Sequence, residues 1–383
     1  MQKIGIMLPR STFYASIGFD ILEGLKGGLT HAGNNQIQII TESIGFGAEK
    51  RDCYAAAERL LMVENVTVVF AYIGQRTAQL LRPLFMAANK LLIVLDAGSS
   101  MPNEWPASPN ILFHSLHNSL SGWFTSQMAA HDGFNAMGTV SGFYDGGYLQ
   151  TYALARGCTD NNGTIVFNHA TGYRLEDFTM LPLNQHSKNN PDACILSLFS
   201  GDYVQWFFDE LKKTFPTNCP PVYAAGYTLE ESVLDTIIFP ETIIKGTVAW
   251  SRQIDTPANT TFINAIDDSG RAANIFSLLG WEAAMLAIVS LSGMEDNKNN
   301  GKKALQYLMQ QSFEGPRGKL TFHQQTNHTL SPMYCVEIEK NTDNTSALKI
   351  ISVIENPENA YEQLISEPLN DATTGWYNSY ACI

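Results

Sequence analysis

The chain has 383 residues, too many for one ordinary compact domain, so its length suits two domains or one large α/β barrel. Hydrophobic residues make up 45% and charged residues 16%, a balance that supports a sizeable core and excludes global disorder. A net charge of -13 argues against a nucleic-acid partner, because phosphate backbones call for a basic face.

The opening Met1-Gln2-Lys3 runs straight into an apolar strand at 4–8, with no apolar export core and no stretch of 18 apolar residues anywhere. An extracytoplasmic site of action therefore presumes an export signal that is absent from this sequence. A Ser/Thr/Gly loop follows, then a helix over 20–32 whose Ile21, Leu25 and Leu29 recur at helical spacing. The same unit repeats: strand 37–41, helix 49–64, strand 66–70, helix 78–88, strand 91–95. These strands are continuous apolar runs, as expected where helices cover both faces of a parallel sheet. After a strand at 111–113 the rhythm restarts with helix 120–131, strand 137–141, a helix after Tyr148, strand 164–167, helix 178–183, strand 193–199, helix 203–214 and strand 222–225. A strand at 247–250, a strongly helical stretch at 275–291 and a helix at 302–311 come next. The tail departs from the pattern, with strands at 333–339 and 348–354 joined by a polar turn at 340–346 as an antiparallel ribbon.

Phosphate and catalytic signatures are missing. No G-x-x-x-x-G-K-[ST] occurs, and neither 142–147 nor 24–28 has the G-x-G-x-x-G spacing that lets a backbone approach a pyrophosphate. No G-x-S-x-G elbow or H-E-x-x-H helix occurs either, so no enzyme, cofactor or metal is predicted. His114 and His117 follow a strand end but lack a third ligand nearby, and none of the six cysteines forms a C-x-x-C pair. Cys53, Cys194 and Cys335 lie in apolar patterns and read as buried free thiols.

Ligands of open α/β sheets bind at the C-terminal ends of the strands. The loops there are 9–18, 73–79, 96–101, 142–148, 200–203 and 226–230, rich in small hydroxyls, glycines and tyrosines. Short side chains let backbone N–H groups reach a solute, and tyrosines supply apolar walls with polar tips. The candidate ligand residues are Gln75, Asp96, Ala97, Gly98, Ser99, Tyr148, Ser200 and Tyr227, with Tyr14, Ile17, Tyr144, Tyr203 and Glu230 behind them. Asp96 ends an apolar strand beside Ala97-Gly98-Ser99-Ser100, where it pairs with an ammonium group or caps the next turn. A Trp in an apolar helix such as Trp281 reads as core.

Several strings in order resemble the type I periplasmic binding proteins of the leucine/isoleucine/valine-binding family. They are Ile4-Gly5-Ile6-Met7-Leu8-Pro9 with Ser11, Gly18 and Gly24, then 69–79 with 91–100, then Tyr144-Asp145-Gly146-Gly147-Tyr148, then 276–287 with Trp281 and Glu282, and Gly315-Pro316-Arg317-Gly318 leading into 319–322. The resemblance spans nearly the whole chain. It implies two doubly wound, Rossmann-like α/β lobes joined by a three-crossing hinge with a ligand cleft between them. The crossings fall near 114–119, 251–255 and 324–331, giving one lobe of 1–117 plus 252–327 and a second of 118–251 plus 328–383. It also implies an exported monomer that captures an amino acid or similar small polar carboxylate or amide and delivers it to the membrane subunits of an ABC importer. A ligand-sensing receptor of the same fold is the alternative. Where relatives present a serine to the ligand carboxylate the match falls on Gln75, where they carry proline it falls on Asp96, and their second-lobe acid falls near Tyr227, with Glu230 and Glu231 just after. The head-group clamp is therefore rearranged, which widens the ligand to amino acids, small peptides, amides and carboxylates of similar size.

Overall fold

The computed structural model describes residues 2–99, 106–234, 237–296, 299–340, 346–366 and 380. Ser100 and Met101 of the loop after the fourth strand, 341–345 of the expected tail turn, and Cys382 lie outside them. The first third forms β1 (Lys3–Leu8), α1 (Ile17–His31), β2 (Gln38–Ser43), α2 (Lys50–Glu58), β3 (Val68–Tyr72), α3 (Gln75–Ala88), β4 (Leu91–Asp96) and β5 (Ile111–Ser115). The middle forms α4 (Asn118–His131), β6 (Ala136–Ser141), α5 (Gln150–Asp160), β7 (Thr164–Ala170), α6 (Leu181–Asn189), β8 (Cys194–Leu198), α7 (Asp202–Thr214), β9 (Val222–Ala225), α8 (Glu231–Leu234) and β10 (Ile244–Val248). The last part forms α9 (Pro257–Asp267), α10 (Ile275–Asp296), α11 (Gly301–Leu308), β11 (Phe313–Gly315), β12 (Gly318–His323), β13 (His328–Leu330), β14 (Met333–Lys340), β15 (Ser346–Ile354) and α12 (Glu358–Ile365).

Two mixed sheets result, one per lobe. The first runs β11-β12-β13-β5-β4-β3-β1-β2 and the second β15-β14-β10-β9-β8-β6-β7. Strands β1 to β5 pair in parallel, with Ile6 beside Phe70 and Val94 beside Phe113. The runs of β3, β4 and β5, buried at every position, are what a sheet covered on both faces demands. The chain passes between sheets three times, after β5, after β10 and after β13. The tail ribbon is present: β14 pairs antiparallel with β15 and with β10.

Some local expectations shift. The helix expected over 49–64 ends as α at Glu58 and continues as a π-helical turn, Arg59–Val63. The helix expected at 178–183 starts at Leu181, because Pro182 suits a first helical turn but not an interior. β10 lies at Ile244–Val248 rather than 247–250, in register with Val222 to Ala225 of β9. α9 was not anticipated, although Thr256 caps it by accepting from Asn259 N–H at 3.2 Å and Pro257 opens it. α10 is long and apolar enough to cross a membrane by length and composition, although Ser277 and Glu282 break its apolar run, and it is mostly buried in the lobe. It packs on α1 so closely that a Cβ on Gly24 would lie 1.9 Å from Ser277 O, and one on Gly280 2.0 Å from Ile21 O. Trp281 is core, packed on Phe262 and His31.

Candidate ligand cleft

The loops after β1, β3 and β4 furnish one wall. Ser11, buried, accepts from the N–H groups of Phe13 and Tyr14 through its Oγ at 3.0 and 3.1 Å, which turns both rings toward the other lobe. Ile17 lies fully buried at the start of α1, in the core rather than at a surface. Gln75 opens α3 and is buried, with its Nε2 unpartnered. After β4, Ala97, Gly98 and Ser99 are stitched to the first crossing: Asn118 N–H donates to Ala97 O at 3.3 Å and Ser119 N–H to Gly98 O at 2.8 Å. Gly98 must be glycine. Its φ is +83°, and a Cβ there would lie 2.4 Å from His117 N. Asp96 resolves toward the cap: its carboxyl takes hydrogen bonds from Gly98 N–H and the Ser115 hydroxyl, and burial raises it to about 6. It lines a small hinge cavity of about 10 Å³ with His117, His328 and Tyr361.

The loops after β6, β8 and β9 furnish the opposite wall. Tyr144 and Tyr203 stack with centroids 6.2 Å apart, and Tyr203 is fixed by donating its hydroxyl to Tyr173 O at 2.6 Å. Tyr148 is buried just ahead of α5. Ser200 donates to Asp145 Oδ2 at 3.0 Å. Burial pushes the Asp145 carboxyl up to about 7 against the pull of that hydroxyl and of nearby backbone N–H groups. Glu230 is likewise raised by burial, and its Oε1 has no hydrogen-bond partner. Glu231, raised to about 7 by burial, accepts from Arg252 N–H at 2.6 Å and so is tied to the second crossing.

Tyr14, Ser99 and Phe13 of the first wall reach the second. Tyr14 donates to Glu230 Oε2 at 2.7 Å and also meets the Ser232 hydroxyl. Ser99 donates to the Tyr227 hydroxyl at 3.2 Å. Phe13 sets its ring edge-to-face against Tyr144 at 5.0 Å and Tyr203 at 5.1 Å. Of the predicted residues, Tyr14, Ser99, Tyr144, Tyr203, Tyr227 and Glu230 thus come together across the cleft, with Ser200 one bond behind. Gln75 and Tyr148 are buried beside the starts of α3 and α5, whereas Asp96, Ala97 and Gly98 serve the hinge side and Ile17 the core. Sequence reasoning missed Phe13, Asp145 as a buried acid, Ser232, Phe276 and Tyr380. Phe13 and Asp145 stood inside loops already singled out; Phe276 sat in a helix read as core. Tyr380 carried no local signal, yet its ring meets Tyr227 at 4.2 Å, Phe276 at 5.3 Å and Tyr14 at 5.6 Å.

The histidines serve structure. His114 lies 2.9 Å from Glu282 Oε2, which also pairs with Arg317 at 3.0 Å, all three fully buried. Cys53, Cys158, Cys194, Cys219 and Cys335 are free, with Cys335 half-buried where burial was expected, since its strand has one face toward solvent.

Two α/β lobes, a triple crossover and a cleft lined by residues of both define a hinged solute-binding protein. Residues 1–343 match the family model described as periplasmic binding protein, and the chain belongs to that family, whose members bind solutes outside the cytoplasm and are not enzymes. A Leu/Ile/Val-binding protein homolog 6 of Brucella suis is 21% identical over 368 residues, covering 92% of this chain and 91% of that one. Among solved structures, an ABC transporter substrate-binding protein from Sphaerobacter thermophilus superposes with a TM-score of 0.80 at 18% identity, covering 92% of this chain and 98% of the other. A solute-binding protein of Rhodopseudomonas palustris in complex with 3,4-dihydroxybenzoic acid gives 0.77 at 18%, with coverages of 92% and 97%. One from Desulfitobacterium hafniense in complex with Leu gives 0.69 at 13%, with coverages of 91% and 99%.

Proposed function

We propose that this chain is the extracytoplasmic substrate-binding component of an ABC importer, built as a lobe of 1–117 plus 252–327 hinged to one of 118–251 plus 328–383. It captures an amino acid or a related amine or amide by closing on it. The observation that carries this reading is the clasp of Tyr14 on Glu230 and Ser99 on Tyr227, contributed from opposite sheets around a buried carboxylate oxygen that lacks a partner. An unpartnered buried acceptor is costly, and a donor-bearing solute removes that cost. Hydroxyls and backbone N–H groups hold the carboxyls of Asp145 and Glu230. An ammonium or amide therefore suits this end of the cleft better than a bare organic anion. The rings of Phe13, Tyr144 and Tyr203 supply the apolar wall.

Thermal shift with a panel of amino acids, amines, amides and hydroxybenzoates is the test, since a ligand that binds only the folded state raises the midpoint by mass action. The amines and amino acids are expected to shift it. A panel without any shift, or one answered by hydroxybenzoates alone, overturns the assignment. For the solute found, Glu230→Gln keeps an acceptor for Tyr14 and removes the charge, so an ammonium ligand should lose affinity about 10- to 100-fold.

A further inference from the structure

We infer that the side chain of Tyr380 is a resident occupant of the solute cleft, a phenol supplied by the chain itself that an incoming ring-bearing solute must displace. The inference rests on this cleft being the solute site, and it names an aryl ring as part of what the site accepts. Tyr380 is 3% exposed and lies beyond the residues that match the family. Its neighbours come from both walls: Tyr14 and Phe276 from the lobe of β1, Tyr227 from the lobe of β9. All three meet it edge-to-face, at interplanar angles of 88°, 83° and 74°, so the rings form a slot shaped to one flat aromatic group.

The fit is good for the ring and poor for its polar end. The Tyr380 hydroxyl is buried without a hydrogen-bond partner. After burial, the groups that hold its phenol protonated are Tyr227, Asp145, Tyr14 and Glu230, so two carboxyls bear on it. Its backbone sits in the left-handed region, φ +61°, which bulky residues adopt only when packing holds them there. An occupant with a satisfied ring and an unsatisfied hydroxyl is a weak competitor. A solute with an equivalent ring and a group that bonds Glu230 Oε1 binds the same slot better and displaces the Tyr380 side chain. Occupancy lowers the apparent affinity by the fraction of molecules in which Tyr380 is seated, which tunes the protein to concentrated solute.

The test uses the full chain and p-cresol, the tyrosine side chain as a free molecule. Tyr380→Ala vacates the slot and should bind p-cresol at least about ten-fold more tightly than the parent by calorimetry, because an apolar cavity the size of a ring takes up that ring. Tyr380→Phe keeps the ring and should bind it as weakly as the parent. Equal affinity in parent and Tyr380→Ala, or no binding to a folded Tyr380→Ala, overturns the inference. Should that variant not fold, 3-fluorotyrosine placed at position 380 reports by ¹⁹F resonance. A buried signal that moves to the exposed position when p-cresol is added supports occupancy, and a signal exposed from the outset refutes it. If p-cresol fills Tyr380→Ala while no solute of the panel binds any form, the solute assignment falls and the occupancy stands.

Discussion

Replacing Asp145 by Asn should stabilise the protein, and more so as pH rises. The carboxyl is 2% exposed, and burial lifts it from 3.8 to about 7 despite the hydrogen bond from Ser200. Its folded value is raised above its unfolded one, so between these values the folded state holds a proton that the unfolded state has released. Stability therefore falls as pH climbs through that window and levels off above it. At 1.36 kcal/mol per pH unit the full interval is worth about 4 kcal/mol, and about 3 kcal/mol of it develops between about pH 4.5 and about pH 8. Asn has the same shape, can still accept from Ser200, and never ionises. Other titrating groups, Asp96 and Glu231 among the acids and His114, His117 and His328 among the bases, are common to both proteins and cancel in the comparison. Urea unfolding of parent and variant across that range measures the gap directly. A gap that stays constant within about 0.5 kcal/mol would refute the reasoning, because it would mean that the acid is ionised in the fold at neutral pH.

Phe13→Ala removes two edge-to-face pairs that join the lobes, each worth about 1 kcal/mol, and should populate an open form; small-angle scattering without solute reads the change as a larger radius of gyration. Gly98→Ala drives a Cβ into the backbone of His117 at a left-handed position and should cost more than about 2 kcal/mol in chemical denaturation, a loss that a nearly neutral result would contradict. Glu282→Gln strips the charge from a fully buried pair with Arg317 and should cost about 3–5 kcal/mol, whereas a double replacement of both by apolar residues should recover much of it.

The strands were legible because a sheet covered on both faces writes itself as unbroken apolar runs; Val68–Tyr72 and Leu91–Asp96 are buried at every position. Caps and breakers were legible where they were used: Pro182 and the Thr256-Pro257 pair both mark helix starts that periodicity alone misplaced or passed over. The loops that carry the cleft could be found, since β/α topology puts them at strand ends. Their pairing could not. Tyr14 and Glu230 stand 216 positions apart and Ser99 and Tyr227 128, and nothing local in either member announces the other. Asp96 shows the limit from the other side. A carboxylate at a strand end serves a ligand or its own turn, and only the position of Ser115 on the neighbouring strand decides for the turn.

Contacts are distributed unevenly between the crossings and the cleft. The first and third crossings are clamped into one unit: His117 bonds Thr329 O, His114 Nδ1 lies 3.0 Å from Thr329 Oγ1, and His328 stacks on Phe113 at 4.7 Å. The second is pinned separately by Asn259, whose Nδ2 donates to Ile254 O at 2.9 Å. The contacts across the cleft include the bonds of Tyr14 and Ser99, the Phe13 ring pairs and the Tyr380 ring, which meets Tyr227 of one lobe and Tyr14 and Phe276 of the other. Each such bond nets about 1 kcal/mol because water replaces it on opening, and each ring pair adds about as much. In the proposed hinge closure the crossings, buried and multiply bonded, are the expected axis, and the tyrosine-lined face is the part expected to open.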